Sequence, residues 1–172
     1  MRTIKLSLLG LSMLIFASAA SVLAQTWSFS DPSVDYSFDL PDATWKLTVK
    51  PTAASTKSEF VYGDRRSGLL EVRQITVAKD ASMTDIINDD EQKHRQFLPG
   101  YVTGKIETFG GRLKGAVSNF EYVAGGRNMS GRYYFLRSGE TTVYVLRFSA
   151  EKDALRSLRV HTDQMSRTFR VK

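Results

Sequence analysis

The densest group of possible metal ligands lies between residues 85 and 94 and consists of Asp85, Asp89, Asp90, Glu91 and His94. On a helix, Asp90 and His94 would be four residues apart on one face and could bind the same ion. The three consecutive acids cannot all face one side of a helix, and a single helix supplies too few converging ligands for a closed site. We therefore predict a solvated acidic face with an Asp90–His94 ion pair, and neither a metal ion nor another cofactor.

Nucleophilic catalysis requires a serine or cysteine beside a base that accepts its proton. The sequence contains no cysteine, and its two histidines, His94 and His161, both fall in predicted helices. Ser67 and Ser130 precede glycines, which turns explain, and no Gly-x-Ser-x-Gly motif surrounds either serine. The glycine-rich motifs that bind nucleotide phosphates are also missing from the sequence. These patterns predict a protein that is not an enzyme.

Recognition of a partner is the chemistry that residues 119–147 favour, because arginines and aromatic residues are interleaved there. We predict that Glu121, Arg132, Tyr134 and Arg147 share the polar face of a sheet. The two guanidinium groups could pair with Glu121, or they could bind an acidic partner. Apolar residues on the same face, Tyr134 among them, need cover from this chain or from a partner.

A second basic feature is predicted in the loop at residues 63–68, where Arg65 and Arg66 lie at an exposed tip. The formal net charge is +6, and Arg2 and Lys5 near the start of the chain contribute two of those charges. This net charge is small, and positive and negative residues are mixed along the chain. For an exported protein, such a charge argues against nucleic acid as a partner. The tip and the arginines of a C-terminal helix could instead bind an anionic polymer through contacts that salt screens.

Three antiparallel strands over residues 116–150 must position the recognition face. Two-residue turns at positions 125–126 and 138–139 would set the strand pairing. In that register one core face receives eight bulky side chains, which are Phe120, Tyr122, Met129, Tyr133, Phe135, Tyr144, Leu146 and Phe148. The same register places Arg132 and Arg147 together on the opposite face.

Two amphipathic helices are predicted around these strands. Ser82 and Asp85 form a capping box for the first helix, whose apolar residues recur until the Pro-Gly at positions 99–100. The second helix is capped by Asp153, and one stripe follows its length: Leu155, Leu158, Thr162, Met165 and Phe169. We therefore predict an α+β fold in which helices pack on a central antiparallel meander.

The N-terminal residues have the pattern of an export signal. Arg2 and Lys5 precede an apolar run at residues 6–16, and small residues follow up to Ala24. A membrane anchor is the alternative, but the run is shorter than the roughly 20 residues that a span needs. We predict cleavage after Ala24, a periplasmic or secreted location, and a single domain at residues 25–172. The absence of cysteine suits a bacterial periplasm.

The segment YSFDLPDATW at residues 36–45 resembles the PsbP/Mog1/DcrB-like superfamily. The later helix, the meander with glycine turns and the terminal helix ending in SRTF continue the likeness over most of residues 34–170. The resemblance implies an α/β/α sandwich that acts as a non-enzymatic binding or assembly factor. It carries no functional residue over to this sequence.

Three hypotheses for function follow. The first is an exported, non-catalytic domain that binds another protein of the cell envelope. The second is a small-ligand carrier or enzyme whose pocket lies between the sheet and a helix and is lined by tyrosine and tryptophan. The third is adhesion to an anionic envelope polymer through Arg65, Arg66 and the helix arginines.

Overall fold

The computed structural model describes residues 27–172, and the predicted signal sequence at residues 1–24 lies outside them. The strands of the described part are β1 (Trp27–Ser30), β2 (Tyr36–Leu40), β3 (Trp45–Val49), β4 (Ser58–Tyr62), β5 (Asp64–Thr76), β6 (Val102–Gly110), β7 (Lys114–Ala124), β8 (Arg127–Arg137), β9 (Thr142–Glu151) and β10 (Arg170–Val171). Its α-helices are α1 (Met83–Asp90), α2 (Lys152–Ser157) and α3 (Arg159–Thr168), and a π-helical turn at Glu91–Arg95 continues α1.

These strands form two antiparallel sheets. The larger sheet has seven strands in the order β3-β4-β5-β9-β8-β7-β6, and the smaller has the order β1-β2-β10. The small sheet, α2 and α3 pack on one face of the large sheet, while α1 packs on the other. The α+β fold predicted from the sequence is therefore confirmed.

An aromatic cluster fills the space between the two sheets. Tyr36 and Phe38 of β2 are fully buried, and Phe169, at the end of α3, stacks against both at ring distances of 5.3 and 6.0 Å. Phe60 of β4 meets Phe38 edge-on at 5.3 Å. The aromatic side chains of β2 thus attach the small sheet and the C-terminal segment to the large sheet, because aromatic pairs add stability beyond the area they bury.

The predicted register holds between β7 and β8 and fails between β8 and β9. Ala124 pairs with Arg127 across a two-residue turn whose glycines both have positive φ, as a type I′ turn requires. Arg137, however, pairs with Val143, so five residues separate the paired positions where the sequence predicted two. A shift by an odd number of residues turns every side chain of β9 to the other face.

The prediction that eight bulky side chains share one core face is therefore wrong. Five of them face α1, namely Phe120, Tyr122, Met129, Tyr133 and Phe135, as their strand pairing shows. Tyr144, Leu146 and Phe148 face the small sheet instead, beside Tyr134 and Leu136. The longer loop is held by Arg137, whose guanidinium donates to the backbone oxygens of Glu140 and Ala81.

The first helix begins as predicted and ends differently. Ser82 and Asp85 form the capping box, with the Asp85 N–H donating to Ser82 Oγ at 3.1 Å. After Asp90 the helix widens into a π-helical turn, which adds a residue to the turn and changes which side chain faces inward. Arg95 is consequently buried, while His94 is exposed and Phe97 is 76% exposed. The predicted apolar stripe beyond residue 90 is therefore wrong.

The C-terminal stripe is confirmed, because Leu155, Leu158, Thr162, Met165 and Phe169 are all buried. The helix is interrupted at Leu158, which separates α2 from α3. Asp153 lies in the first turn of α2 and does not cap it, since the N-cap position is Glu151. None of the helices within residues 27–172 is long and apolar enough to cross a membrane.

Candidate functional site

The six residues that the sequence singled out for binding lie in three separate places. Glu121, Arg132 and Tyr134 share the face of the large sheet that packs against α2 and α3. Arg147 lies on the opposite face because of the register change in β9. Arg65 and Arg66 lie at the start of β5, in the hairpin that β4 and β5 form, so the predicted loop at residues 63–68 is wrong. The predicted placement of Arg132 and Arg147 on one polar face is therefore wrong.

Arg132 is only 7% exposed, and three neighbouring side chains accept hydrogen bonds from its guanidinium group. Its Nε donates to Tyr134 Oη at 2.6 Å, and its Nη1 donates to Asn119 Oδ1 at 2.6 Å. Its Nη2 donates to Asp163 Oδ1 at 3.0 Å. Each partner comes from a different element, so the guanidinium orientation is fixed by β7, β8 and α3 together.

The Tyr134 hydroxyl links Arg132 to two residues of α3. Its hydroxyl donates to the Asp163 carboxylate and shares a hydrogen bond of 3.0 Å with Thr162 Oγ1. The Arg132 guanidinium carbon lies 5.1 Å from the centre of the Tyr134 ring. Burial raises the pKa of Tyr134 far above its ordinary value, so the hydroxyl remains a donor at neutral pH.

Arg132 also lines a groove of about 500 Å³ between strands β6–β8 and the helix pair α2–α3. We call this cavity the basic groove, because the cationic side chains of its wall are Arg132, Lys152, Arg156 and Arg159. Glu121 is the acidic side chain in the lining. The volume lies within the range of small-molecule and peptide sites.

The cations of the basic groove differ in how firmly they are held. Lys152 pairs with Glu121 at 2.8 Å, with both side chains about half exposed. Arg156 pairs with Asp153 at 3.2 Å, but these side chains are 71% and 89% exposed, so solvent screens the pair. Arg159 is exposed and makes no ion pair within the described part of the chain. Arg156 and Arg159 can therefore reorient toward a ligand.

Arg147 belongs to a buried ion cluster under α1. Asp90 Oδ1 accepts from Arg147 Nη2 at 2.6 Å and from Arg73 Nη2 at 2.7 Å. Arg95 Nε lies 3.0 Å from Asp90 Oδ2. The predicted Asp90–His94 pair on a solvated face is therefore wrong, since Asp90 is only 5% exposed and contacts three arginines.

Aromatic rings complete the cluster around Asp90. The Arg95 guanidinium lies 4.9 Å from the Phe120 ring centre, and that of Arg147 lies 5.1 Å from Tyr133. Burial raises the pKa of Asp90, and the nearby guanidinium groups oppose that rise. Because the carboxylate and the three guanidinium groups lie together beneath a helix, we assign them to the packing of α1 rather than to binding.

The Arg65–Arg66 tip presents less charge than the sequence suggested. Arg65 Nη2 bonds Glu59 Oε2 at 2.6 Å, and Lys57 bonds the same carboxylate at 2.8 Å. Arg66 is exposed, and its backbone N–H donates to Asp64 at 2.8 Å. One of the two arginines is thus occupied within the chain.

The described residues 27–172 contain no group of three or more histidine, aspartate or glutamate side chains that could hold a metal ion. His161 lies at the edge of the core, where its Nδ1 accepts from Trp45 Nε1 at 3.3 Å. This histidine therefore helps to hold β3 against α3.

The sequence did not indicate Asp163 or the convergence of Arg156 and Arg159. Asp163 bonds Arg132 although it is 31 residues away along the chain. Asn119, by contrast, pairs with Arg132 across β7 and β8, as the predicted register requires. Arg156 and Arg159 are recognisable from the sequence as helix arginines, but their convergence on Arg132 depends on where α2 and α3 dock. The sequence signal for a basic surface here is that both arginines lie outside the apolar stripe of the C-terminal helix, next to Leu155, which is buried.

Solved structures of other proteins share this arrangement of sheets and helices. The Ran-binding protein Mog1p of Saccharomyces cerevisiae has a TM-score of 0.63 at 9% identity over 85% of this chain and 95% of that one. The cyanobacterial PsbP, CyanoP, of Synechocystis sp. PCC 6803 has 0.62 at 15% identity over 91% and 99%. LpqN of Mycobacterium tuberculosis, involved in cell envelope biogenesis, has 0.53 at 16% identity over 86% and 92%.

At these identities the likeness shows the fold alone. A similar protein from Bacteroides thetaiotaomicron, with a TM-score of 0.58 at 16% identity, is longer. This chain covers 49% of that protein and therefore spans about half its length. No protein-family profile matches the sequence, and no curated protein sequence matches it.

Proposed function

Because the chain has the PsbP/Mog1-like fold that residues 36–45 predicted, we propose that it is an exported, non-catalytic domain that binds another protein of the cell envelope. Two proteins of this fold support the proposal by what they do. Mog1p binds Ran, and LpqN takes part in cell envelope biogenesis. The binding surface in this chain is the basic groove.

The observation that carries the proposal is the convergence of four cationic side chains on one groove. Arg132 is fixed by Tyr134, Asn119 and Asp163, so it loses little conformational entropy when a ligand binds. The exposed Arg156 extends the positive charge toward solvent. Such a surface favours an acidic partner and accelerates its association.

The proposed location rests on the predicted signal sequence. Cleavage after Ala24 would release a protein that begins at Gln25 in the periplasm or the medium. N-terminal sequencing of the protein from those fractions tests this, because an uncleaved chain in the cytoplasm would contradict it.

Charge reversal tests the groove as the binding surface. The variant Arg156→Glu/Arg159→Glu changes two exposed groove residues, and Arg66→Glu/Arg112→Glu makes the same charge change at exposed positions outside the groove. Wild type, groove variant and control are immobilised and used to capture envelope proteins. We expect wild type and control to retain the same partner and the groove variant to retain about tenfold less of it.

Two results would overturn the proposal. One is equal retention of the partner by the groove variant, and the other is capture of no specific protein by wild type. Loss of binding in the Arg66→Glu/Arg112→Glu control alone would instead support adhesion through the hairpin tip.

A small anionic ligand is a second candidate for the same groove. The cavity lies between the sheet and a helix, as that hypothesis required, although cationic side chains replace the expected tyrosine and tryptophan. A thermal-shift screen against carboxylated and phosphorylated metabolites separates the two functions, because a ligand at 100 times its Kd adds about 2.7 kcal/mol of stability.

A further inference from the structure

We infer that the basic groove recognises the carboxylate groups of an extended acidic polypeptide segment, with Arg132 as a fixed donor and Arg156 and Arg159 as mobile clamps. This inference rests on the proposed function and specifies what part of the partner enters the groove. It is carried by the hydrogen-bond state of Arg132, by the balance of charge in the wall and by the edge strand that borders the cavity.

The orientation of the Arg132 guanidinium is fixed by the chain, but not all of its N–H donors are used. A guanidinium has five N–H donors, and the described residues accept one hydrogen bond from each of its three nitrogens. Nη1 and Nη2 each carry a second N–H, and Arg132 is part of the groove wall. A carboxylate is the planar acceptor that matches such a fork.

The acids in and beneath the groove reduce its positive charge without cancelling it. Asp163 bonds Arg132 and is 30% exposed, while Glu121 lies in the lining beside Lys152. Attraction to the four cations and repulsion by these acids both grow with a ligand's charge, so the wall as a whole attracts anions. The clamps Arg156 and Arg159 supply attraction that the internal ion pairs do not cancel.

The groove is bordered by features that suit an extended chain. Val102, Thr103 and Gly104 of β6 line it, and β6 is an edge strand of the large sheet. Val102 is 61% exposed, which gives the rim an apolar contact beside the cations. An edge strand offers backbone groups to an added segment, whose alternate side chains can then reach the groove.

The test is an NMR titration of the ¹⁵N-labelled protein, residues 25–172, with acetylated and amidated hexaglutamate. Hexaglutamine is the matched uncharged peptide. We expect hexaglutamate to shift the amide signals of Thr103, Gly104, Asn119 and Ser130, which all line the groove. Hexaglutamine should bind about tenfold more weakly or not at all.

Variants assign the binding to particular side chains. Arg156→Gln/Arg159→Gln should weaken hexaglutamate binding about tenfold, and Arg66→Gln/Arg112→Gln should leave it unchanged. Arg132→Lys keeps the charge but loses the fork, so we expect about fivefold weaker binding with a native-like spectrum. If Arg132→Lys fails to fold, the exposed double variant decides the result.

Equal affinity for the two peptides would overturn the inference, as would shifts centred on the hairpin at residues 62–68. Binding of succinate as tight as that of hexaglutamate would also overturn it, because the groove would then recognise a small dicarboxylate. A groove-dependent protein partner captured without any hexaglutamate binding would refute this inference and leave the proposed function standing.

Discussion

Asp90 is the residue on which the attachment of α1 to the large sheet depends. Its carboxylate bonds Arg73 of β5 and Arg147 of β9, and it lies beside Arg95 of the π-helical turn. A buried carboxylate among guanidinium groups is tolerated only while each charge has a partner. Asp90 therefore joins two strands and one helix through a single side chain.

Asp90→Asn should strongly destabilise the protein, because three arginines would lose the carboxylate that they share. Within residues 27–172, only Arg95 of the three would keep an ion pair, with Glu91 at 4.0 Å. We expect a loss of about 3–5 kcal/mol in the free energy of unfolding by urea. Asp89→Asn is the matched control, since Asp89 is 59% exposed and pairs only with Lys93. Its expected loss is below about 0.5 kcal/mol. Equal effects of the two substitutions would contradict the role of the cluster.

Glu59 should make stability depend on pH. The hydrogen bond from Lys57, aided by Arg65, holds the pKa of Glu59 below its ordinary value. The folded chain thus prefers the ionised form, so Glu59 stabilises the fold at pH above its unfolded pKa of about 4.3. That stabilisation is lost as the pH falls through the lower folded-state pKa.

We therefore expect Glu59→Gln to reduce the slope of unfolding free energy against pH between about pH 5 and 3. Denaturant titrations at several pH values measure that slope. Glu140→Gln is the control, because Glu140 and its partner Lys79 are both 70% exposed. A wild-type slope in Glu59→Gln would show that the contact contributes nothing.

At the scale of elements, strand β8 is held in register against β7 by a ring packed on a glycine. Gly131 pairs with Phe120, and a Cβ at position 131 would fall on the Phe120 ring. Contacts with Arg95 and an edge-on contact with Tyr133 at 4.9 Å oppose movement of that ring. The small residue is therefore required by the packing of the neighbouring strand.

Gly131→Ala should cost about 1–3 kcal/mol of stability, since the added methyl group overpacks a buried site. Gly139→Ala is the control, because a Cβ there meets nothing within 4 Å. Thermal unfolding of both variants measures the difference. A Gly131→Ala variant as stable as the control would mean that Phe120 is free to move.

The sequence was informative about elements where local geometry decides them. The turn at residues 125–126 was predictable because two consecutive glycines permit positive φ. The β8–β9 connection was not, because Arg137 holds a longer loop through oxygens that include Ala81, which is distant along the chain. The π-helical turn had no local signal, and it alone decides that Arg95 rather than His94 is buried.

The length of the β8–β9 connection also decides which candidate site residues were assigned to the correct face of the sheet. Glu121 and Arg132 were placed correctly because they precede the changed connection along the chain. Arg147 follows that connection and was assigned to the wrong face. Asp163 contributes through tertiary packing, which spacing along the chain does not reveal.

At the scale of the whole molecule, the large sheet separates two clusters of arginines. Those around Asp90 are paired beneath α1 on one face. Those around Arg132 line a groove on the other face, where Arg156 and Arg159 are exposed. Of these two clusters, the second lines a cavity and includes exposed arginines. The central claim is therefore that a partner binds the face that carries α2.

Site-specific photo-crosslinking in cells tests this claim most directly. A benzophenone side chain is placed at Val102, which lines the groove, or at Leu47 on β3, the opposite edge strand. Both residues are exposed and apolar, at 61% and 39%. We predict a partner adduct from position 102 that disappears with Arg156→Glu/Arg159→Glu, and none from position 47. An adduct from position 47 alone, or one at position 102 that survives charge reversal, would contradict the claim.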